Sequence, residues 1–188
     1  SGAVLIGSLS ALTSGDDVGR YAGAGITSFA LELLPRISRA QSMDILSSQS
    51  NLAGYKAVLD AAGVFNRAFP MMMTASGTIR PARVLVLGAG VAGLQAIATA
   101  RRLGAVVSAY DVRPVVKEQV QSLGAKFVEV DAEATKEAET AGGYAREMSA
   151  EYQAKQAQVL ADAVAKNDIS ICTALIPGRQ APVLITEE

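Results

Sequence analysis

Apolar residues along this chain change their spacing several times, and each change marks an element. Ala3-Val-Leu-Ile-Gly-Ser8 is a short unbroken apolar run that predicts a buried strand, and a glycine-rich turn-and-helix stretch then leads to a second short strand near Ile26 to Leu31. From Ser47 onward, Leu52, Tyr55, Val58, Leu59, Ala62 and Phe65 fall at helical spacing, which predicts one long helix with Ser47 or Ser48 as its N-cap. Pro70, Gly77 and Pro81 punctuate a connector. Within it Met71-Met72-Met73 is expected to be a soft packing plug, with an adaptable binding surface as the alternative.

From Arg83 the alternation becomes regular: strand Arg83 to Leu87, helix Val91 to Leu103, strand Ala105 to Tyr110, helix Pro114 to Leu123, strand Lys126 to Val130. Strands and helices alternating at this distance specify a parallel sheet with right-handed crossovers. Between Asp131 and Ser149 the regularity gives way to a polar segment centred on Gly142-Gly143-Tyr144. A helix to Lys166, a strand Ile169 to Cys172 and a loop Thr173 to Pro182 follow, and a further helix is expected to start at Ile185.

Composition supports an α/β fold. Half of the 188 residues are hydrophobic, which supplies a core for one large domain or two small ones. Ala, Gly and Val outweigh the aromatics, which make up 5% with no Trp, and small residues favour close packing of helices on a sheet. Seventeen basic residues balance eighteen acidic ones, and no basic stripe interleaved with aromatics argues for a nucleic-acid partner. The single cysteine, Cys172, excludes an internal disulfide and a cysteine-cluster metal site, and its apolar flanks predict a buried thiol. No histidine is present, so no metal centre is expected, and the chemistry should need no imidazole acid or base. No window reaches the roughly eighteen uninterrupted apolar residues of a bilayer-spanning helix.

The strongest motif is Gly88-Ala-Gly90-Val91-Ala-Gly93. Alone, G-x-G-x-x-G is common. Here it follows the apolar strand Val84-Leu-Val-Leu87, opens an amphipathic helix at Val91, and precedes Asp111 at the end of the next strand. Gly88 suits the tight turn, Gly90 the approach of a pyrophosphate to the backbone, and Gly93 close helix–strand packing, with the helix dipole attracting phosphate charge. The expected architecture is therefore a Rossmann-type parallel sheet plus part of a second α/β subdomain, joined by a long helix. Residues 1–46 would end the first subdomain, 47–80 would form the linking helix and connector, and 81–188 the nucleotide-binding subdomain. The usual strand order calls for two more strands, so an excerpt of a longer polypeptide is expected.

Asp111 stands where a carboxylate accepts hydrogen bonds from an adenosine ribose and repels a 2′-phosphate, which favours NAD(H) over NADP(H). Arg113 beside it either salt-bridges outward or neutralises part of that charge. Thr173-Ala174-Leu175-Ile-Pro-Gly178 leaves the carboxyl end of the fourth sheet strand, where open α/β sheets bind ligands, so it is expected near the nicotinamide half, with a structural loop as the alternative. Pro35-Arg36-Ile-Ser-Arg-Ala-Gln41-Ser-Met-Asp44, just before Ser47, is dense in guanidinium, amide and carboxylate groups. Such groups can grip a carboxamide and a ribose, although spacing alone favours a solvated salt-bridge cluster.

Arg39-Ala-Gln-Ser-Met-Asp44, Asn51-Leu-Ala-Gly-Tyr55, Gly88-Ala-Gly-Val-Ala-Gly-Leu94, Lys117-Glu-Gln-Val120, Gly142-Gly-Tyr-Ala145 and Thr173-Ala-Leu-Ile-Pro-Gly178 together resemble the NAD(H)-binding domain I of proton-translocating transhydrogenases. The resemblance covers essentially the whole chain. It implies two α/β subdomains, hydride transfer from NADH to NADP⁺ held on a partner domain, and coupling to proton movement through a membrane domain. It also implies a homodimer, as a soluble domain docked on a membrane complex at the cytoplasmic side of a bacterial inner membrane or in the mitochondrial matrix. By the same resemblance Arg36, Gln41, Asp44 and Ser47 would surround the dihydronicotinamide, Tyr144 would belong to a loop closing over the nucleotide, and Asp111 would take the ribose. Hydride exchange between two nicotinamides requires alignment and exclusion of water, not a proton donor, which suits a histidine-free chain. The competing function is an alanine dehydrogenase-like oxidoreductase of the same two-subdomain plan.

Overall fold

The computed structural model describes residues 2–130, 149–176 and 178–186. In chain order the elements are β1 (Val4–Gly7), α1 (Gly15–Gly23), β2 (Thr27–Ala30), 3₁₀ turns at Leu31–Leu33 and Ser38–Met43, α2 (Ile45–Val64), β3 (Met72–Thr74), β4 (Gly77–Ile79) and β5 (Arg83–Leu87). Then come α3 (Val91–Arg102), β6 (Val106–Tyr110), a 3₁₀ turn at Pro114–Val116, α4 (Lys117–Ser122), β7 (Lys126–Phe127), α5 (Ala150–Ala165) and β8 (Ile169–Cys172). Two compact units result, one of Ser1–Gln49 with Pro177–Gln180 and one of Ser50–Ile176 with Ala181–Glu188, the division falling inside α2.

In the first unit β1 and β2 pair in parallel, Val4 opposite Thr27 through Gly7 opposite Ala30. The loop leaving β1 is held by Glu32, whose carboxylate accepts the backbone N–H groups of Leu9 at 3.1 Å and Ala11 at 2.9 Å. Partial burial pushes the Glu32 carboxyl up, but these and neighbouring backbone donors outweigh it and hold the group below its ordinary value. A charge-assisted clasp of this kind lets Ser10 adopt a left-handed φ of 51° without a glycine.

The second unit is built on a four-stranded parallel sheet of order β7-β6-β5-β8. Strand β5 sits between β6 and β8 and is apolar throughout after Arg83, as expected for a strand covered on both faces. Its side chains divide by alternation. Val84 and Val86 join Val58 of α2, Ala96, Ile97 and Ala100 of α3, and Val120 of α4 on one face. Leu85 and Leu87 join Tyr110 and Leu160 of α5 on the other. The fully buried valine, leucine and isoleucine side chains among these each contribute about 1.5–3 kcal/mol of burial free energy. At the far edge Asp168 accepts the Arg83 backbone N–H at 2.8 Å and pairs with the Arg67 guanidinium, which ties the start of β8 to the start of β5.

Several sequence-based expectations need correction. The helix start lies at Ile45, not Ser47, because Asp44 supplies the cap: its Oδ1 accepts the Ser47 N–H at 2.9 Å and its Oδ2 the Ser47 hydroxyl at 2.6 Å. The connector contains an antiparallel hairpin, β3 with β4, and Met71, Met72 and Met73 are all exposed, so the packing plug is overturned. Cys172 is likewise exposed, although partial burial still pushes its thiol up. Strand β7 stops at Phe127, short of Val130, while the helix expected from Ile185 falls in part on residues 187–188, outside the described residues.

Candidate functional site

Strand β5 ends at Leu87 and the chain turns sharply at Gly88, whose φ of +99° is open to glycine but strained for a side chain. The Gly88 N–H still donates to the Tyr110 carbonyl at 2.8 Å, so the turn begins as a continuation of the sheet. A Cβ on Gly88 would lie 2.8 Å from the Ala174 nitrogen, and one on Gly93 would lie 1.8 Å from the Gly88 carbonyl oxygen. At Gly90 the same construction meets nothing within 4 Å. The three glycines thus differ in role: two admit packed backbone, and the middle one leaves an open side at the start of α3. Gly90 is the N-cap and gives no side-chain hydrogen bond to the first turn that begins at Val91. Backbone N–H groups and the positive helix end are therefore available to an anion.

Asp111 follows β6 at the carboxyl end of the sheet and is buried. Its Oδ2 accepts the Ala89 N–H at 2.8 Å, which fixes the glycine turn to the neighbouring strand. Arg113 folds back on it, donating from its backbone N–H and Nε to Oδ1 at 2.9 Å and from Nη2 to Oδ2 at 2.8 Å. Of the two placements open to Arg113 in the sequence, the structure takes the one that neutralises Asp111.

Beside Asp111 a polar set that sequence reasoning missed anchors α5 to the sheet. The Tyr110 and Tyr152 hydroxyls share a hydrogen bond at 3.1 Å, and Gln156 Nε2 donates to the Tyr110 hydroxyl at 2.7 Å. Burial, then the Tyr152 hydroxyl, push the Tyr110 hydroxyl well above its ordinary value. The visible clue was a tyrosine ending a mostly apolar strand, but its partners lie more than forty residues on. Tyr110, Asp111, Lys117 and Tyr152 take part in lining a small hollow of about 40 Å³.

At the end of β8, Thr173 locks its loop onto the glycine turn: its N–H donates to the Leu87 carbonyl and its hydroxyl to the Gly88 carbonyl, both at 2.8 Å. Ala174 is half-buried against Gly88 and Leu175 is exposed. The structure thus gathers Gly88, Gly90, Val91, Gly93, Asp111, Arg113, Thr173, Ala174 and Leu175 at the carboxyl ends of β5, β6 and β8.

In the first unit Arg36, Gln41, Asp44 and Ser47 line one hollow of about 370 Å³, together with Pro35, Ile37 and Ala40. The 3₁₀ turn Ser38–Met43 buries Ala40, and Asp44 then caps α2. The Ser47 hydroxyl and N–H, together with the Arg36 charge, outweigh partial burial and hold the Asp44 carboxyl below its ordinary value. An ionised acceptor, a cation and an amide therefore share one wall, which suits a ligand carrying hydroxyl and carboxamide groups. Tyr144 lies outside the described residues. Among the described residues no group of three or more acidic or cysteine side chains could hold a metal ion, and no helix is long and apolar enough to cross a membrane.

A parallel sheet of this order, with a glycine crossover after its first strand and a carboxylate after its second, defines the doubly wound Rossmann class of α/β proteins. Family models agree and narrow it. The model described as alanine dehydrogenase/PNT, C-terminal domain, matches residues 57–188, and that of the N-terminal domain matches residues 1–53. The chain belongs to the alanine dehydrogenase/PNT family. It is 67% identical to an NAD(P) transhydrogenase alpha-subunit protein of Rhodospirillum rubrum, over the whole of this chain and 49% of that protein. The crystal structure of transhydrogenase from Sinorhizobium meliloti is similar with a TM-score of 0.84 at 58% identity, covering 98% of this chain and 48% of that one. An L-alanine dehydrogenase structure shares the fold, with a TM-score of 0.68 at 20% identity over 99% of this chain and 46% of that one. The chain spans about half the length of the curated relatives it matches.

Proposed function

We propose that these residues form the NAD(H)-binding component of a transhydrogenase, whose action is coupled to proton translocation across a membrane. When bound, NADH supplies the hydride that passes to NADP⁺ on a partner domain. The observation that carries the reading is the glycine crossover: Gly88 and Gly93 are closed by packed backbone while Gly90 stays open at an uncapped helix start, with Asp111 at the end of the next strand. The 67% identity to a transhydrogenase subunit favours this enzyme over other nicotinamide-dependent ones.

In this reading Gly90 and the first turn from Val91 take the pyrophosphate, Asp111 takes the adenosine ribose with Arg113 beside it at the cofactor site, and Thr173, Ala174 and Leu175 take the nicotinamide half. Arg36, Gln41, Asp44 and Ser47 hold and aim the dihydronicotinamide, and Tyr144 belongs to a covering loop. NADP-binding and membrane domains of the same enzyme, a second copy of the chain, and a bacterial inner-membrane or mitochondrial matrix setting complete the proposal.

Gln41→Asn tests the aiming role. Shortening the arm by one methylene should leave NADH affinity within a few fold yet slow hydride transfer far more, because the reacting atoms must lie roughly 3–3.5 Å apart. Single-turnover transfer to the NADP-binding partner, measured with the intact protein beside an NADH titration, separates the two quantities. If the rate falls no more than the affinity, Gln41 has no part in the mechanism. The fold shared with L-alanine dehydrogenase supports the second reading, an amino-acid oxidoreductase. Robust NADH production from alanine and NAD⁺ would make it the better one.

A further inference from the structure

A carboxylate offers about four acceptor positions on its two oxygens. At Asp111 the chain itself fills all four: Oδ1 with the Arg113 backbone N–H and Nε, and Oδ2 with the Ala89 N–H and Arg113 Nη2. The two backbone donors belong to the turns that leave β5 and β6, and releasing them would unmake those turns. The guanidinium belongs to a flexible side chain that is 14% exposed, beside a carboxylate that is 7% exposed. A ribose hydroxyl donating to Asp111 therefore has one occupant it can displace.

We propose that Arg113 is a specificity-determining residue, which masks Asp111 until the ribose of a dinucleotide takes its place. This rests on the NAD(H) reading above. Two effects follow. The ion pair is broken on binding, so Arg113 lowers affinity for NADH. The displaced guanidinium remains next to the ribose, where its charge offsets that of a 2′-phosphate and softens the rejection that Asp111 would otherwise impose. Selectivity at this site is a property of the pair, and the acidic residue alone overstates it.

The test is equilibrium titration of the full-length protein with NADH and NADPH, followed by nucleotide fluorescence. Arg113→Gln removes the charge and the fork. It should bind NADH about three- to tenfold more tightly and NADPH more weakly, so the ratio of the two affinities rises. Arg113→Lys keeps the charge without the planar fork and should fall between; it also serves if the glutamine variant folds poorly. In an Asp111→Asn background Arg113→Gln should give no gain in NADH affinity, because no ion pair is left to break. Unchanged or weaker NADH binding by Arg113→Gln, or an equal gain in the Asp111→Asn background, overturns the masking role. Failure of the wild-type protein to bind NADH would instead overturn the NAD(H) reading beneath it.

Discussion

Gly90 and Gly93 stand three residues apart in one motif, and alanine at each should do opposite things. In Gly93→Ala the new Cβ would lie 1.8 Å from the Gly88 carbonyl oxygen and 2.9 Å from the Thr173 hydroxyl oxygen. Cβ atoms do not approach other heavy atoms closer than 3.0 Å, so the carbonyl would have to retreat by more than an ångström. It is poorly placed to do so, since Gly88 O accepts the Thr173 hydroxyl and Gly88 N donates to the Tyr110 carbonyl. Overpacking typically costs 1–3 kcal/mol, and a clash with backbone held on both sides should reach or exceed about 3 kcal/mol. In Gly90→Ala the Cβ meets nothing within 4 Å, and the φ of −76° is ordinary for alanine. Its stability should stay within about 0.5 kcal/mol of wild type, while NADH binding weakens by about tenfold or more because the methyl occupies the approach of the pyrophosphate. Urea unfolding and NADH titration of both variants of the intact protein measure the two effects. A Gly93→Ala variant as stable as wild type, or a Gly90→Ala variant that binds NADH normally, refutes this assignment of roles.

Two further outcomes follow from the titrating groups. Asp44→Ala removes the cap of α2 and should cost about 1 kcal/mol at neutral pH. Because the Asp44 carboxyl is held below its ordinary value, its contribution is complete above the unfolded-state pKa of about 3.9 and disappears as pH falls through the lower folded value. The wild-type and variant stabilities, followed by urea unfolding from pH 7 down to pH 2, should converge at the acid end. Tyr110→Phe leaves the Gln156 amide and the Tyr152 hydroxyl without their shared partner and should cost about 1–3 kcal/mol. Since the Tyr110 hydroxyl is raised above its ordinary value of 10.0, its contribution is complete below that pH and is lost above it. Alkaline unfolding should therefore be shallower in the variant than in wild type.

Much of this was legible along the chain. Strand β5, the start of α3 at Val91, the end of β6 at Tyr110 and the limits of β8 fall where apolar spacing and glycine placement put them. A central parallel strand must be apolar on both faces, and a turn that reverses within a few residues needs glycine where backbone meets backbone. Those demands are local, so they are written in consecutive residues. The Arg36 to Ser47 cluster was legible as a dense run of polar groups, and its spacing alone favoured a solvated salt-bridge cluster. Its members share one hollow because a 3₁₀ turn and the Asp44 cap bend the chain around them.

Only tertiary structure decided which of several chemically equal partners each polar group would take. Ser47, Ser48 and Asp44 are all competent caps, and the position of the first helical turn selects Asp44. Arg113 had solvent and Asp111 within reach, and the burial of Asp111 against the glycine turn gives it the carboxylate. Tyr110 finds Tyr152 and Gln156 on a helix more than forty residues away, and the three methionines stand exposed because the connector closes into a hairpin. Periodicity records which face of an element is apolar. The partners of a side chain depend on where distant backbone comes to rest, and that is set when the layers pack.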